Sequence, residues 1–216
     1  ISERLGRKFE SVNQTLEGGL NHNELVQDDE GKKYVLRIQK ENPPQIPLIR
    51  EEYEGIGYAR DGSEYRLRSL EEQASLTRAC ILKNIPTPQI RYTNNKVMLR
   101  DFVKGTPLAV FLRQKNSSAM MKKHLLNIMH THKEGIIIGD RWGPNEIVTS
   151  QNTLAYIDFD IELTARDAKE FELAQVLYHC MLQSGNRKAA LQCIEELIAS
   201  EEFMPYEKNV AAEFLQ

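Results

Sequence analysis

The sequence lacks several features that define common protein classes. Its three cysteines form no CxxC pair, so their odd number and spacing exclude a simple disulfide framework and an evident cysteine zinc site. No apolar run approaches the ~20 residues that a membrane-spanning helix needs. A GxxxxGK[ST] phosphate loop is missing, which excludes the P-loop nucleotide hydrolases. The formal net charge of −3 disfavours a protein that grips nucleic acid mainly through phosphates.

What remains is the composition of an ordinary globular protein. The chain has 216 residues, of which 41% are hydrophobic and 27% are charged, and this length suits one domain of two lobes or two small domains. Residues 1–4 contain no apolar signal region, so we expect a cytoplasmic protein without membrane contacts. His130 and His132 form an HxH pair, but no third ligand lies at metal spacing, which favours a structural role.

The first half of the chain is predicted to be rich in β-structure. Turn residues separate β-rich runs, and one apolar repeat with helical spacing follows them. In chain order the predicted segments are a helical or loosely ordered start at 1–14, a hairpin at 15–40, a mobile insertion at 41–64, a helix from Tyr65 that ends before Pro86, and strands at 90–92 and 96–102.

The second half is predicted to be mostly helical. The predicted helices cover 108–114, 118–133, 166–184, 186–200 and 205–215, and the predicted strands cover 146–149 and 153–157. Strands and helices are segregated rather than alternating, which favours an α+β fold. The change of pattern after Gly105-Thr106-Pro107 divides the chain into residues 1–104 and 105–216.

Three polar side chains lie in apolar surroundings in the second half. Asp140 follows Ile138-Gly139, Asn145 lies five residues farther on, and Asp158 follows a predicted strand. An Asp at the end of an apolar strand is costly to bury unless it binds something. Carboxylate and amide oxygens suit Mg²⁺ with substrate phosphates, and a further Asp can orient a hydroxyl or accept its proton. Each residue alone fits a turn or a cap, but the ordered set favours a functional site.

The first half adds candidate phosphate contacts. Gly18-Gly19 lies between predicted strands, where glycine lets backbone N–H groups approach phosphates, although a glycine pair alone is more often only a turn. In the strand at 33–40, Arg37 and Lys40 lie on opposite faces. One such cation could bind nucleotide phosphates and pair with a glutamate early in the following helix, while a solvated charge is the alternative.

These residues fall into motifs that resemble the protein kinase-like superfamily, most closely its aminoglycoside phosphotransferase and choline kinase branch. The resemblance covers about residues 15–182. The motifs that carry it are Leu16-Glu-Gly-Gly-Leu-Asn-His-Asn23 as the glycine loop, Tyr34-Val-Leu-Arg-Ile38 as the third strand, Leu99-Arg-Asp-Phe-Val-Lys-Gly105 as the hinge, Gly139-Asp140-Arg-Trp-Gly-Pro-Asn145 as the catalytic loop, and Ile157-Asp158-Phe159 as the metal-binding region.

The resemblance implies a two-lobed fold, with a nucleotide-binding lobe at 1–104 and a catalytic lobe at 105–216. It also implies a role for each motif residue. For the nucleotide, Gly18, Gly19 and Asn21 would contact it, and the backbone of Asp101 and Val103 would hold adenine. Arg37, with Lys40 as the fallback, would bind the phosphates, and Glu72 rather than Glu71 would pair with that cation. In the catalytic lobe, Asp140 would orient the acceptor hydroxyl, and Asn145 and Asp158 would hold Mg²⁺.

We therefore expect an ATP-dependent, Mg²⁺-assisted phosphotransferase whose acceptor hydroxyl belongs to a small molecule or a protein. The short chain is near the size of minimal kinases, so an RNA-linked role stays open. Ile138 replaces the usual His before Gly-Asp, and Asp160 replaces the DFG glycine. These departures keep two alternatives: a module that binds nucleotide without turnover, and an ATPase whose acceptor is water.

Overall fold

The computed structural model describes most of the chain. The described residues are 1–16, 20–41, 43, 45–55, 58, 64–114 and 117–206. The strands are β1 (Phe9–Leu16), β2 (Asn21–Asp28), β3 (Lys33–Gln39), β4 (Tyr65–Leu67), β5 (Ile90–Thr93), β6 (Val97–Asp101), β7 (Gly105–Pro107), β8 (Glu146–Thr149), β9 (Leu154–Tyr156) and β10 (Ile161–Leu163). The helices are α1 (Ser2–Leu5), α2 (Ile46–Gly55), α3 (Leu70–Leu82), α4 (Leu108–Phe111), α5 (Ser118–Lys133), α6 (Ala168–Gln183) and α7 (Arg187–Ile198), and a 3₁₀ turn covers Glu201–Phe203.

Antiparallel pairing organises the strands into three sheets. The largest has the order β1-β2-β3-β6-β5, while β7-β8-β9 and β4-β10 form two smaller sheets. The predicted hairpin is the centre of the large sheet, and its turn is closed by Asp28, whose carboxylate accepts hydrogen bonds from the Glu30 and Lys32 amides at 3.1 and 2.8 Å. Helices combined with antiparallel sheets confirm the predicted α+β class.

Helix α3 begins later than predicted. Tyr65 opens strand β4, which pairs with β10, and the helix starts only at Leu70. Ser69 fixes this start through a capping box: its hydroxyl accepts from the Glu72 amide, and the Glu72 carboxylate accepts from the Ser69 amide at 2.8 Å. The apolar repeat was correct, but the predicted start at Tyr65 was wrong because the cap and the β10 pairing determine where the helix can begin.

Two other segments differ from the predictions. The start of the chain forms strand β1 instead of continuing as a helix after α1. The predicted insertion at 41–64 contains helix α2, and Tyr53 of that helix is 2% exposed because its ring packs against Tyr65 and Phe171. Most of the predicted helix at 205–215 lies outside the described residues. The other predicted strands and the helices α5, α6 and α7 agree closely with the structure.

Helices α5, α6 and α7 enclose the largest hydrophobic cluster. Leu125, Ile128, Leu173 and Leu177 are each at most 3% exposed, and Tyr156 of strand β9 belongs to the same cluster. Burying one such aliphatic side chain stabilises the fold by roughly 1.5–3 kcal/mol. No described helix is both long and apolar enough to span a bilayer.

A buried histidine in this cluster predicts a pH-dependent stability. Burial lowers the pKa of His124 from 6.5 to about 3, and Arg141 adds to the effect. Between these values the unfolded chain binds a proton that folded His124 does not, so the free energy of unfolding decreases as the pH falls. At 1.36 kcal/mol per pH unit, His124 accounts for about 2 kcal/mol lost between pH 7.5 and pH 5.

Urea unfolding of H124Q at both pH values measures this contribution. The variant is expected to lose less stability than the wild type between pH 7.5 and 5. H130Q, which changes an exposed histidine of the same helix, serves as the control. An unchanged pH dependence in H124Q would contradict the assignment.

Candidate active site

A cleft of about 620 Å³ lies between the large sheet and the loops around β8 and β9. Its lining combines apolar side chains with polar and charged ones. The apolar lining includes Leu16, Val35, Pro107, Ile147 and Ile157, and the polar lining includes Asn23, Arg37, Arg100, Asp101, Asn145 and Asp158. The predicted cation and both predicted metal ligands therefore line one cavity.

Arg37 is bound to four polar side chains at this cleft. Its guanidinium is 1% exposed and forms ion pairs with Asp158 at 2.6 Å and Asp160 at 2.9 Å. It also donates to the side-chain oxygens of Gln73 at 2.7 Å and Asn23 at 3.1 Å. Every one of these partners is an oxygen acceptor, which offsets the cost of burying the charge.

The two aspartates respond to Arg37 in opposite ways. Burial alone would raise the pKa of Asp158, but the facing Arg37 lowers it below its ordinary value. The pKa of Asp160 is raised, because burial and the negative charge of Asp158 together outweigh the attraction of Arg37. Asp158 is therefore the more acidic carboxylate of the pair and stays charged at neutral pH, which is the form needed to hold a cation.

A second, smaller cavity of about 240 Å³ adjoins the cleft. Asp140 lines this cavity, and α2 contributes Glu52 and Tyr53 to its wall. Asn145 and Asp158 line both cavities, so the candidate metal ligands lie where the two spaces meet.

Asp140 is held by its own backbone and by Asn145. Its φ of 54° lies in the left-handed region, as does the φ of 66° at Asp158. The Asn145 side chain donates to the Asp140 carbonyl oxygen at 2.9 Å and to its carboxylate at 3.3 Å. Burial, Asp158 and Glu52 raise the pKa of Asp140 to about 6, so this carboxylate is ionised and basic at neutral pH.

Arg141 organises the loop that carries these residues. Its buried guanidinium donates to the carbonyl oxygens of Gly139 at 2.7 Å and Asn145 at 3.3 Å, and to that of Asp158. It also pairs with Glu146 at 3.2 Å. One side chain therefore connects both ends of the Asp140–Asn145 loop to Asp158, two residues after the end of β9.

Glu172 on α6 holds the same loop from the other side. Its carboxylate accepts hydrogen bonds from the Gly139 amide at 2.5 Å, the Ile138 amide at 3.3 Å and the His132 ring at 2.6 Å. Burial opposes its ionisation, but His132 and Arg141 lower the pKa of Glu172 below its ordinary value. The two amides immediately before Asp140 are thus fixed by a charged acceptor.

The structure corrects one predicted partner. Glu72 does not contact Arg37, because it caps α3 and pairs with the exposed Arg66 at 2.8 Å. The next residue, Gln73, faces Arg37 instead. Asn21 donates to Asp160 at 2.9 Å, and Asn23 rather than Asn21 lines the large cleft.

The remaining predicted residues have mixed outcomes. Lys40 lines a separate cavity of about 130 Å³, so Arg37 is the strand cation at the large cleft. Asp101 and Val103 both line that cleft, but the Asp101 carboxylate binds Arg91 at 2.6 and 2.7 Å. The Asp101 amide is also committed, because it donates to the Gln89 carbonyl oxygen at 2.9 Å. Gly18-Gly19 lies outside the described residues.

Three residues of the site were not predicted. Glu172 accepts hydrogen bonds from backbone amides that are distant in sequence, and Arg141 donates to carbonyl oxygens of its own loop. Neither contact has a local sequence signal. Arg68 is similar: it donates to the carbonyl oxygens of Ile138 at 2.8 Å and Ile161 at 2.6 Å. The Ser69-Leu-Glu-Glu72 capping pattern was a usable signal, since it assigns Glu72 to the helix end.

Neither a scan of the sequence against models of protein families nor a search of curated proteins finds a match.

The glycine before Asp140 gives a direct test of how tightly the loop is held. Gly139 has a φ of 83°, and a Cβ there would overlap the Ile161 carbonyl oxygen. Gly135 has a comparable φ of 74° with no atom within 4 Å of a Cβ. The left-handed conformation alone costs an alanine about 1–2 kcal/mol. We expect G139A to lose about 1–3 kcal/mol beyond G135A because of the overlap.

Urea unfolding of the two variants measures this difference, since G135A carries the same backbone cost without the contact. Equal stabilities would mean that the loop can move away from Ile161.

Proposed function

We propose that the chain is a Mg²⁺-assisted phosphotransferase that moves the γ-phosphate of a nucleoside triphosphate, ATP by the family resemblance, to an acceptor hydroxyl. The observation that carries the proposal is the meeting of two cavities at Asn145 and Asp158, with Arg37 in the larger and Asp140 in the smaller. Phosphoryl transfer requires positioning and charge neutralisation, and these groups supply both.

The roles follow from charge and location. Arg37 would attract the phosphates. Asp140 would accept a hydrogen bond from the acceptor hydroxyl and orient it toward the γ-phosphate, since a carboxylate with a pKa of about 6 is a competent proton acceptor. The acceptor hydroxyl belongs to a small molecule or a protein group that fits the smaller cavity.

The oxygen donors at the junction fit Mg²⁺. Asp158 offers a charged carboxylate, and the Asn145 amide nitrogen is already committed to Asp140, which leaves the amide oxygen for a cation. No cluster of three or more His, Cys, Asp or Glu side chains suited to a metal occurs among the described residues. Mg²⁺ commonly takes one or two protein ligands with substrate phosphates, and bound there it would neutralise phosphate charge.

The architecture also supports the proposal. The antiparallel sheet and α3 belong to residues 1–104, and the large helical cluster belongs mainly to residues 105–216. A two-lobed kinase-like fold implies this division, with the nucleotide between the lobes. The cleft lies between β3 and β6 on one side and Asn145, Ile147 and Asp158 on the other.

The arrangement around Arg37 favours one alternative: a module that binds nucleotide without transferring phosphate. Asp160 replaces the family's glycine and pairs with Arg37, so it competes with phosphates for this cation. An Arg37 that stays bound to both aspartates would contribute little to transfer. An ATPase with water as the acceptor is the third candidate.

Nucleotide binding provides the first test. Mg²⁺ with ATP or GTP is expected to raise the unfolding temperature, because a ligand that binds only the folded state stabilises it. D158N should lose the Mg²⁺-dependent part of the shift while keeping a hydrogen-bond acceptor for Arg37. D29N changes an exposed aspartate and should keep the full shift. The absence of any shift at millimolar nucleotide would overturn the proposal.

Replacing Asp140 distinguishes phosphate transfer from nucleotide binding. D140N is expected to bind Mg²⁺-nucleotide like the wild type but to reduce phosphate transfer about 10²–10⁴-fold, since it lacks the proton acceptor. The assay follows radiolabelled γ-phosphate with a panel of amino alcohols, sugars and seryl peptides, and nucleoside diphosphate release without an acceptor. Release without transfer identifies an ATPase, and neither release nor transfer in the wild type identifies the binding module.

A further inference from the structure

Arg100 on β6 is a second buried cation of the large cleft. It is 7% exposed and lines the cleft together with Arg37. Its neighbour Leu99 packs on the opposite face of the sheet with Val26, whereas Met98, two residues before Arg100, packs against α3. The side chain of Arg100 thus belongs to the inner face of the sheet, where most proteins place an apolar residue.

The two arginines differ in their partners. Arg37 has two carboxylates within 3 Å. The guanidinium of Arg100 donates no hydrogen bond and forms no ion pair with any residue that the structure describes. Burial and the nearby Arg37 lower the pKa of Arg100 to about 10 against the attraction of Asp158 and Asp160, so it remains charged at neutral pH. A buried guanidinium without an acceptor is costly, and a ligand that brings acceptors would remove that cost.

The strand register shows which end of the cleft Arg100 occupies. On β3, Arg37 lies opposite Met98, whereas Val35 lies opposite Arg100. The two arginine positions are therefore offset by two residues, about 7 Å along the strands. Arg37 is bonded to Asp158, whereas Arg100 lies beside Val35 and directly precedes Asp101, both of which line the cleft.

A base seated between the apolar walls would present its edge to Arg100. A guanidinium has only donors. Guanine offers two adjacent acceptors, O6 and N7, whereas adenine offers N7 beside an amino group that is itself a donor. An arginine fork therefore matches guanine and opposes adenine.

We propose that Arg100 makes this cleft selective for guanine nucleotides over adenine nucleotides. The inference rests on the proposed function and refines its nucleotide: GTP, rather than the ATP that the family resemblance implies, is the phosphate donor. Arg37 binds the phosphates and Arg100 binds the base.

The test measures affinities by the fluorescence of Trp142, the single tryptophan, which lines the cleft. The probes are GTP, ITP, ATP and tripolyphosphate, each with Mg²⁺. GTP and ITP share O6 and N7, and both are expected to bind about tenfold more tightly than ATP. R100M should abolish this preference and leave tripolyphosphate binding unchanged, and R78M, which changes an exposed arginine of α3, should retain it.

R100K keeps the charge but lacks the planar fork, so it should also lose the preference, and it provides the comparison if R100M fails to fold. ATP binding as tightly as GTP would overturn the inference and leave the phosphotransferase proposal intact. An equal loss of GTP, ATP and tripolyphosphate binding in R100M would also overturn it, since Arg100 would then hold phosphates. Binding of no probe would overturn both proposals.

Discussion

Arg37 reaches from β3 to Asp158 and Asp160, which lie 121 and 123 residues farther along the chain. This buried contact joins the large sheet to the loop after β9, and the walls of the cleft depend on it. Removing one partner of a buried ion pair typically costs about 3–5 kcal/mol, because the other charge is left without compensation. The same group is the proposed phosphate contact, so one interaction supports both the fold and the site.

The loop around Asp140 depends on charged side chains that bind backbone groups. Glu172 accepts from two amides, while Arg68 and Arg141 donate to carbonyl oxygens. Asp140 and Asp158 both adopt a left-handed backbone that is unfavourable for residues other than glycine. The surrounding hydrogen bonds offset that strain, which means that the two carboxylates are oriented before any ligand arrives.

Sequence patterns predicted the parts of the site that follow local rules. Asp140 and Asp158 follow apolar stretches, Asn145 lies five residues after Asp140, and each of the three lines a cavity of the site. Glu72 was misassigned because the cap at Ser69 rotates α3 so that Gln73 faces Arg37. Arg141 and Glu172 could not be predicted, since their partners are backbone groups brought close only by tertiary packing. The strand pattern likewise predicted β2, β3, β5 and β6 of the large sheet, but most of β1 was expected to be helical or loosely ordered. The short β4 was missed because its pairing partner β10 is remote in sequence.

Helix α2 limits what the smaller cavity can accept. Tyr53 from this helix and Tyr58 both pack against Phe171 of α6, with ring centroids 5.7 and 4.0 Å apart. The next residue of α6, Glu172, is the one that fixes the amides before Asp140. One wall of the cavity and the loop that carries Asp140 are therefore attached to successive residues of a single helix. If the proposed function holds, a bulky acceptor that displaced α2 would also shift Asp140, so discrimination against it would affect the rate of transfer as well as binding.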